Sequence, residues 1–170
     1  MNNTSIVALA GLLACSLALP AAAQERSAGS YEQHLSLNYS YLHDYGESGT
    51  MGFMVDFGKQ LKGNMSMVGE FAVNYFSGWE ETYTSVGGGI RYGGMARSKK
   101  VRPFFQLVLG AQHDFGSTGF NIQPGFGLDM KLSRKIDTRL QFDFPIVQWE
   151  GDTYKQFRFN IGVGLPLGNR

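Results

Sequence analysis

The chain has 170 residues, of which 17% are charged and 43% hydrophobic, with 23 glycines, 13 phenylalanines and 8 tyrosines. So little charge beside so much glycine and aromatic surface argues against a conventional soluble protein. A net charge of +1 gives no basic excess for a nucleic-acid partner, and the single cysteine, Cys15, excludes an internal disulfide framework.

In chain order, the first feature is an apolar run from Ile6 to Leu19, followed by Pro20 and the small residues Ala21-Ala22-Ala23 that suit signal peptidase. The run is shorter than the roughly 20 apolar residues a helix needs to cross a bilayer. Residues 1–23 are therefore expected to be a cleavable signal peptide, with lipidation at Cys15 as the alternative processing. Residues 24–31 form the expected flexible arm, and residues 32–170 a single β-barrel domain.

From Glu32 onward the sequence alternates apolar residues with polar residues or glycine and shows no helical period. The segment Phe120 to Leu132 is the clearest: its even positions are apolar and its odd ones polar, charged or glycine. Strands are predicted at His34–His43, Met51–Lys59, Met65–Tyr75, Thr82–Tyr92, Val101–Gln112, Gly119–Leu132, Thr138–Val147 and Gln156–Leu167. Each approaches the ~9–11 residues a tilted strand needs to span a membrane. The expected fold class is all-β: an eight-stranded antiparallel up-and-down transmembrane barrel.

The intervening turns alternate in character. One set is basic, with Lys59, Lys62, Arg97, Lys99, Lys100, Arg134 and Lys135; the other is acidic and aromatic, with Asp44, Glu47, Glu80, Glu81, Asp114, Glu150 and Asp152. Successive turns of an up-and-down barrel lie at opposite ends, so the cylinder should have two chemically different rims. With periplasmic termini, the basic rim would be periplasmic and the acidic rim external. Tyr45, Trp79, Tyr83 and Trp149 are expected to form an interfacial aromatic belt.

The apolar face carries too many large side chains to fit inside a narrow barrel. The opposite face combines glycines with charges and amides and therefore belongs in the lumen. A luminal ion-pair core is predicted from Asp56, Glu70, Arg91, Arg102, Asp129, Lys131, Arg139, Asp143 and Arg158, because buried charges are costly unless matched.

Gln123-Pro124-Gly125-Phe126-Gly127-Leu128-Asp129, Arg139-Leu140-Gln141-Phe142-Asp143 and Val101-Arg102-Pro103-Phe104-Phe105 together resemble the small outer-membrane β-barrel superfamily. The similarity is to the transmembrane domain of outer membrane protein A and to the outer membrane protein X and attachment-invasion barrels, the "porin family" of Gram-negative envelopes. It implies a bacterial outer-membrane location, lipid and lipopolysaccharide as surroundings, and insertion by the barrel-insertion machinery.

Some barrels of this class act on lipid A, so catalytic residue types need weighing. His113, Asp114 and Ser117 have the chemistry of a hydrolytic triad, but their closeness in sequence more simply describes a polar loop. The acidic rim has metal-ligand chemistry, yet a solvated rim explains it as well. No catalytic residue, metal or cofactor is expected. The reading is a non-enzymatic, monomeric membrane barrel with a plugged polar lumen and a structural or surface-interaction role. The alternatives are a lipid A-modifying enzyme and a soluble periplasmic lipocalin-like barrel for apolar ligands.

Overall fold

The computed structural model describes residues 33–44, 49–75, 82–93, 100–114, 116–133, 135–149 and 151–167. The expected signal peptide and arm lie outside the described residues. The regular elements are all strands: β1 (Gln33–Asp44), β2 (Thr50–Lys62), β3 (Met65–Tyr75), β4 (Thr82–Gly93), β5 (Val101–Asp114), β6 (Ser117–Lys131), β7 (Asp137–Asp143), β8 (Ile146–Trp149) and β9 (Asp152–Leu167). Consecutive strands from β1 to β7 pair antiparallel, β7 and β8 each pair with β6 and β9, and β1 closes on β9 from Gln33 opposite Leu167 to Asp44 opposite Gln156. Closure leaves no edge strand, and the backbone donors and acceptors are satisfied around the ring.

The single strand expected over residues 138–147 is observed as two segments, β7 and β8. Both lie between β6 and β9 in one register: Asp143 faces Gly125 and Arg158, and Ile146 faces Ile122 and Lys155. The interruption is Pro145, which has no N–H for the ladder. Its carbonyl still accepts from the Gln156 amide at 2.8 Å, and the Phe144 amide donates to Pro124 at 2.9 Å. These bonds make β7 and β8 one stave, so the cylinder has eight.

Side chains alternate between two environments along the staves. On β5, Phe104 is 1% exposed and Phe105 66% exposed, one turned into the lumen and the other onto the outer wall. The outer wall carries Leu37, Phe53, Ile90, Leu107, Phe126 and Ile161, all exposed. The buried interior is mainly polar and includes Asp56, Arg91, Gln141 and Asn160 at no more than 1% exposure. Hydrophobicity is therefore inverted relative to a soluble barrel.

The hairpins divide between two ends. The C-terminal ends of β1, β3, β5 and β8 lie at one rim, where Asp44, Asp114 and Asp152 stand; those of β2, β4 and β6 lie at the other, with Lys62, Lys100 and Lys135. Two tight turns use glycine in the left-handed region, Gly116 at φ 87° and Gly151 at φ 100°. At the lysine rim, the Gly93 amide donates to Asn64 at 2.7 Å and the Lys131 amide to Lys100 at 2.8 Å.

Luminal glycines make space for the interior. A Cβ on Gly127 would run into the Leu140 carbonyl and the Phe104 ring. Gly127→Val should therefore displace Phe104 and cost about 1–3 kcal/mol, as overpacking does. Urea unfolding in detergent micelles would measure the loss, and Leu128→Val on the outer wall should change stability less.

Candidate functional site in the polar lumen

Register and parity together assemble the interior. The buried carboxylates are Asp56, Glu70, Asp129, Asp137 and Asp143, and the buried guanidiniums are Arg91, Arg102, Arg139 and Arg158. Arg139 on β7 is the hub. Its Nη1 donates to both oxygens of Asp56 at 2.6 Å, while Nε and Nη2 grip Asp129 at 2.7 and 3.0 Å. The Asp129 contact has the fork geometry that makes arginine-carboxylate pairs strong.

Arg91 on β4 approaches the same Asp56 from the other side, with Nη1 and Nη2 each 3.2 Å from Oδ1. It also donates to Gln106 Oε1 through Nε at 2.9 Å and Nη2 at 2.7 Å. The Phe104 ring lies 4.5 Å from the Arg91 guanidinium carbon and 4.9 Å from that of Arg139. Its π-face attracts both cations and partly offsets their mutual repulsion. Ser36 completes the shell by donating to Asp56.

Next to this cluster the chemistry changes. Glu70 and Asp143 are held chiefly by carboxamides: Gln106 and Gln141 donate to both, Gln123 adds a 2.7 Å bond to Glu70, and Asn160 adds one of 2.9 Å to Asp143. The nearest arginine contact to Glu70 is Arg91 Nη2 at 3.9 Å. Arg158 donates to Gln123 at 3.2 Å and Ser85 at 3.1 Å. At Glu70 and Asp143 the predicted ion-pair core is thus largely an amide layer, although Arg158 stands opposite Asp143 in register.

Three further expectations change. Lys131 is exposed: it has the inward parity of Asp129 but is the last residue of β6 and emerges at the rim. Arg102 pairs instead with Asp137, the first residue of β7, one position before the predicted start of that strand. Tyr83 is 4% exposed and shares the inner face of β4 with Ser85 and Arg91, so it is not part of an outer belt.

Trp149 has the inward parity of fully buried Val147 and packs at the rim over Gly119, its ring 5.2 Å from Tyr154. Tyr45 and Trp79 lie outside the described residues, as do Glu47, Glu80, Glu81 and Glu150. Outer-wall tyrosines near the ends are instead Tyr41 and Tyr75, both in register with Met51 at the acidic end, and Tyr92 at the basic end. Their inclusion in the apolar face was the sequence signal for this placement.

The triad chemistry does not converge. His113 stands opposite Thr118, with Nδ1 and Oγ1 2.9 Å apart. Ser117 has the parity of buried Gly119 and Asn121, so it and His113 lie on opposite faces of the sheet. Among the described residues, no group of three or more His, Cys, Asp or Glu is arranged to hold a metal.

With this geometry, the class is a small β-barrel of the outer-membrane type with an ionic and amide-filled interior. Neisserial surface protein A has the same fold, with a TM-score of 0.64 at 10% identity over 82% of this chain and 99% of that one. OprG from Pseudomonas aeruginosa matches at a TM-score of 0.59 and 10% identity, over 86% and 99% of the two chains. Ail, the attachment invasion locus protein of Yersinia pestis, matches at 0.52 and 15%, over 82% and 99%. No protein-family model matches the sequence, and no curated protein matches it.

The hub gives a direct test. Arg139→Met leaves Asp56 and Asp129 buried without their shared cation and should cost about 3–5 kcal/mol. Adding Asp56→Asn should recover part of that loss, making the double variant better than the sum of the single effects. Equilibrium unfolding of the four proteins in one detergent would give the coupling.

Proposed function

We propose that this protein is an integral, monomeric barrel of the bacterial outer membrane, contributing to envelope structure or surface interaction without catalysing a reaction. The observation that carries the reading is the pairing of an exposed apolar outer wall with a buried, charged lumen. A lipocalin-like function needs the opposite arrangement, with an apolar cavity inside and a wettable surface outside. Here Phe126 and Leu107 face outward, and Arg139 and Asp56 occupy the interior.

The surroundings that fit this wall are outer-membrane lipid and lipopolysaccharide, reached after export and with the barrel-insertion machinery. The termini and the lysine rim face the periplasm in this reading, and the acidic rim faces outward. No cofactor is required. Interior side chains cross the bore from several staves, as Arg139 does in reaching Asp56, so a continuous water column is not part of the proposal.

Two measurements test the reading. The mature protein should remain with outer membranes after carbonate or urea washing; recovery as a soluble periplasmic monomer would refute the membrane assignment. In planar bilayers the purified barrel should give no steady conductance, and lipid A incubated with it should retain its mass. Stable channels, or deacylation abolished by His113→Ala, would replace the structural role with transport or catalysis.

A further inference from the structure

The buried charges do not balance. Five carboxylates face four guanidiniums among the described luminal residues, leaving one negative charge in excess. His34 does not supply the missing cation: its Nδ1 lies 3.4 Å from Arg139 Nη2, which can only donate, so the imidazole accepts there and is neutral. An unmatched charge in a buried interior is expensive enough that the group instead takes up a proton.

The geometry locates that proton. Asp56 has two guanidiniums, Asp129 has the Arg139 fork, and Asp137 has Arg102. Glu70 and Asp143 instead converge on shared donors. Gln106 Nε2 is 2.6 Å from Glu70 and 3.2 Å from Asp143, and Gln141 Nε2 is 3.2 and 2.8 Å from the same two groups. Two carboxylates sharing a site resist ionising together. Around them, the buried carbonyl oxygens of Gln141 and Asn160 accept no hydrogen bond and Arg158 Nε donates none, so the layer leaves both acceptors and a donor without partners. A proton turns one carboxylate oxygen into a donor.

The neighbouring staves reinforce the excess. On β2, Asp56 stands opposite Glu70 in register; on β4, Arg91 donates to Asp56 and Gln106 and approaches Glu70 only to 3.9 Å; on β9, Arg158 stands opposite Asp143 but donates to Gln123 and Ser85. The inner residues of β5 and β6 facing the pair are the amides Gln106 and Gln123, and the inward-facing residues of β1 between His34 and Asp44 are Ser36, Asn38, Ser40 and Leu42. We propose that Glu70 and Asp143 form a proton-binding pair that retains one proton at neutral pH and so neutralises the lumen.

The full barrel, unfolded by urea in detergent micelles, supplies the first test. At neutral pH, Glu70→Gln and Asp143→Asn should each match the wild type, since either replaces the retained proton with a neutral amide. The double variant removes one negative charge too many and should be weaker. Above neutral pH, the wild-type unfolding constant should rise relative to both single variants, by up to about tenfold per pH unit, until the proton has left. The sign follows from linkage: the folded pair binds more proton than the unfolded chain, so raising the pH opposes folding.

A wild-type profile parallel to both single variants would overturn the proposal. Alkaline resistance restored by sodium ions at fixed pH would also overturn it, by making a metal cation the occupant. Infrared spectroscopy at neutral pH gives a readout independent of stability. The carboxylic-acid C=O stretch should be present in the wild type and absent from each single variant; its absence from the wild type would refute the pair.

Discussion

Burying charge inside a closed sheet is the constraint on which this molecule depends. Once β1 pairs with β9, no edge remains through which a luminal side chain can reach bulk water, and the interior must satisfy itself. Arg139 answers that demand by joining β2, β6 and β7 through Asp56 and Asp129. Its contacts span 83 residues of sequence to Asp56 but only 10 to Asp129. The same ions that would be a liability if unmatched thus tie distant staves together, while the outer wall supplies little specificity of its own.

The architecture was legible because one physical rule, the two-residue side-chain period, governs every stave. Phe120 to Leu132 displayed it openly, and the strand expected at Met65–Tyr75 coincides with β3. Site detail was less legible because parity assigns a face without assigning a partner. Arg102 meets Asp137 through the stagger around the barrel, and no local spacing encodes that meeting. Tyr83 differs for another reason: its parity with Arg91 points inward, whereas its nearness to an aromatic loop points to the interface, and parity prevails. Lys131 shows the converse, correct parity on a residue lying just beyond the enclosed length.

The lumen is also polarised along its axis. Arg91, Arg102, Asp129, Asp137 and Arg139 lie near the lysine-rich end of their staves, while Ser40, Asn74, Gln112 and Gln156 occupy the other half. That second half is joined mainly by neutral bonds, such as Gln112 to Gln156 at 3.1 Å and Asn74 to the Ser40 carbonyl at 3.2 Å, with Asp44 accepting from Gln156 at its end. Neutral partners cost less when a bond opens than a stranded ion does. The end bearing the acidic hairpins is therefore better able to fluctuate than the ionic half, where each opening separates charge.

The outer wall has its own asymmetry, linked to the interior through glycine. Phe126, Phe142, Phe144, Phe157 and Phe159 form a continuous aromatic sector over β6 to β9, with Phe142 and Phe159 centroids 5.1 Å apart. Across the barrel, Gly69 and Gly88 are paired on the outer face of β3 and β4, flanked on β4 by Gly87 and Gly89 facing inward. Gly89 has no room for a Cβ against the Leu107 carbonyl, and a Cβ on Gly87 would meet Val108. Glycine weakens a strand where it stands, yet here it permits the close approach of β5, whose Leu107 carbonyl and Val108 side chain occupy the space a Cβ would need. The phenylalanine sector lies on the other side of the ring, where packing between neighbouring rings stiffens staves that the glycine-rich side cannot.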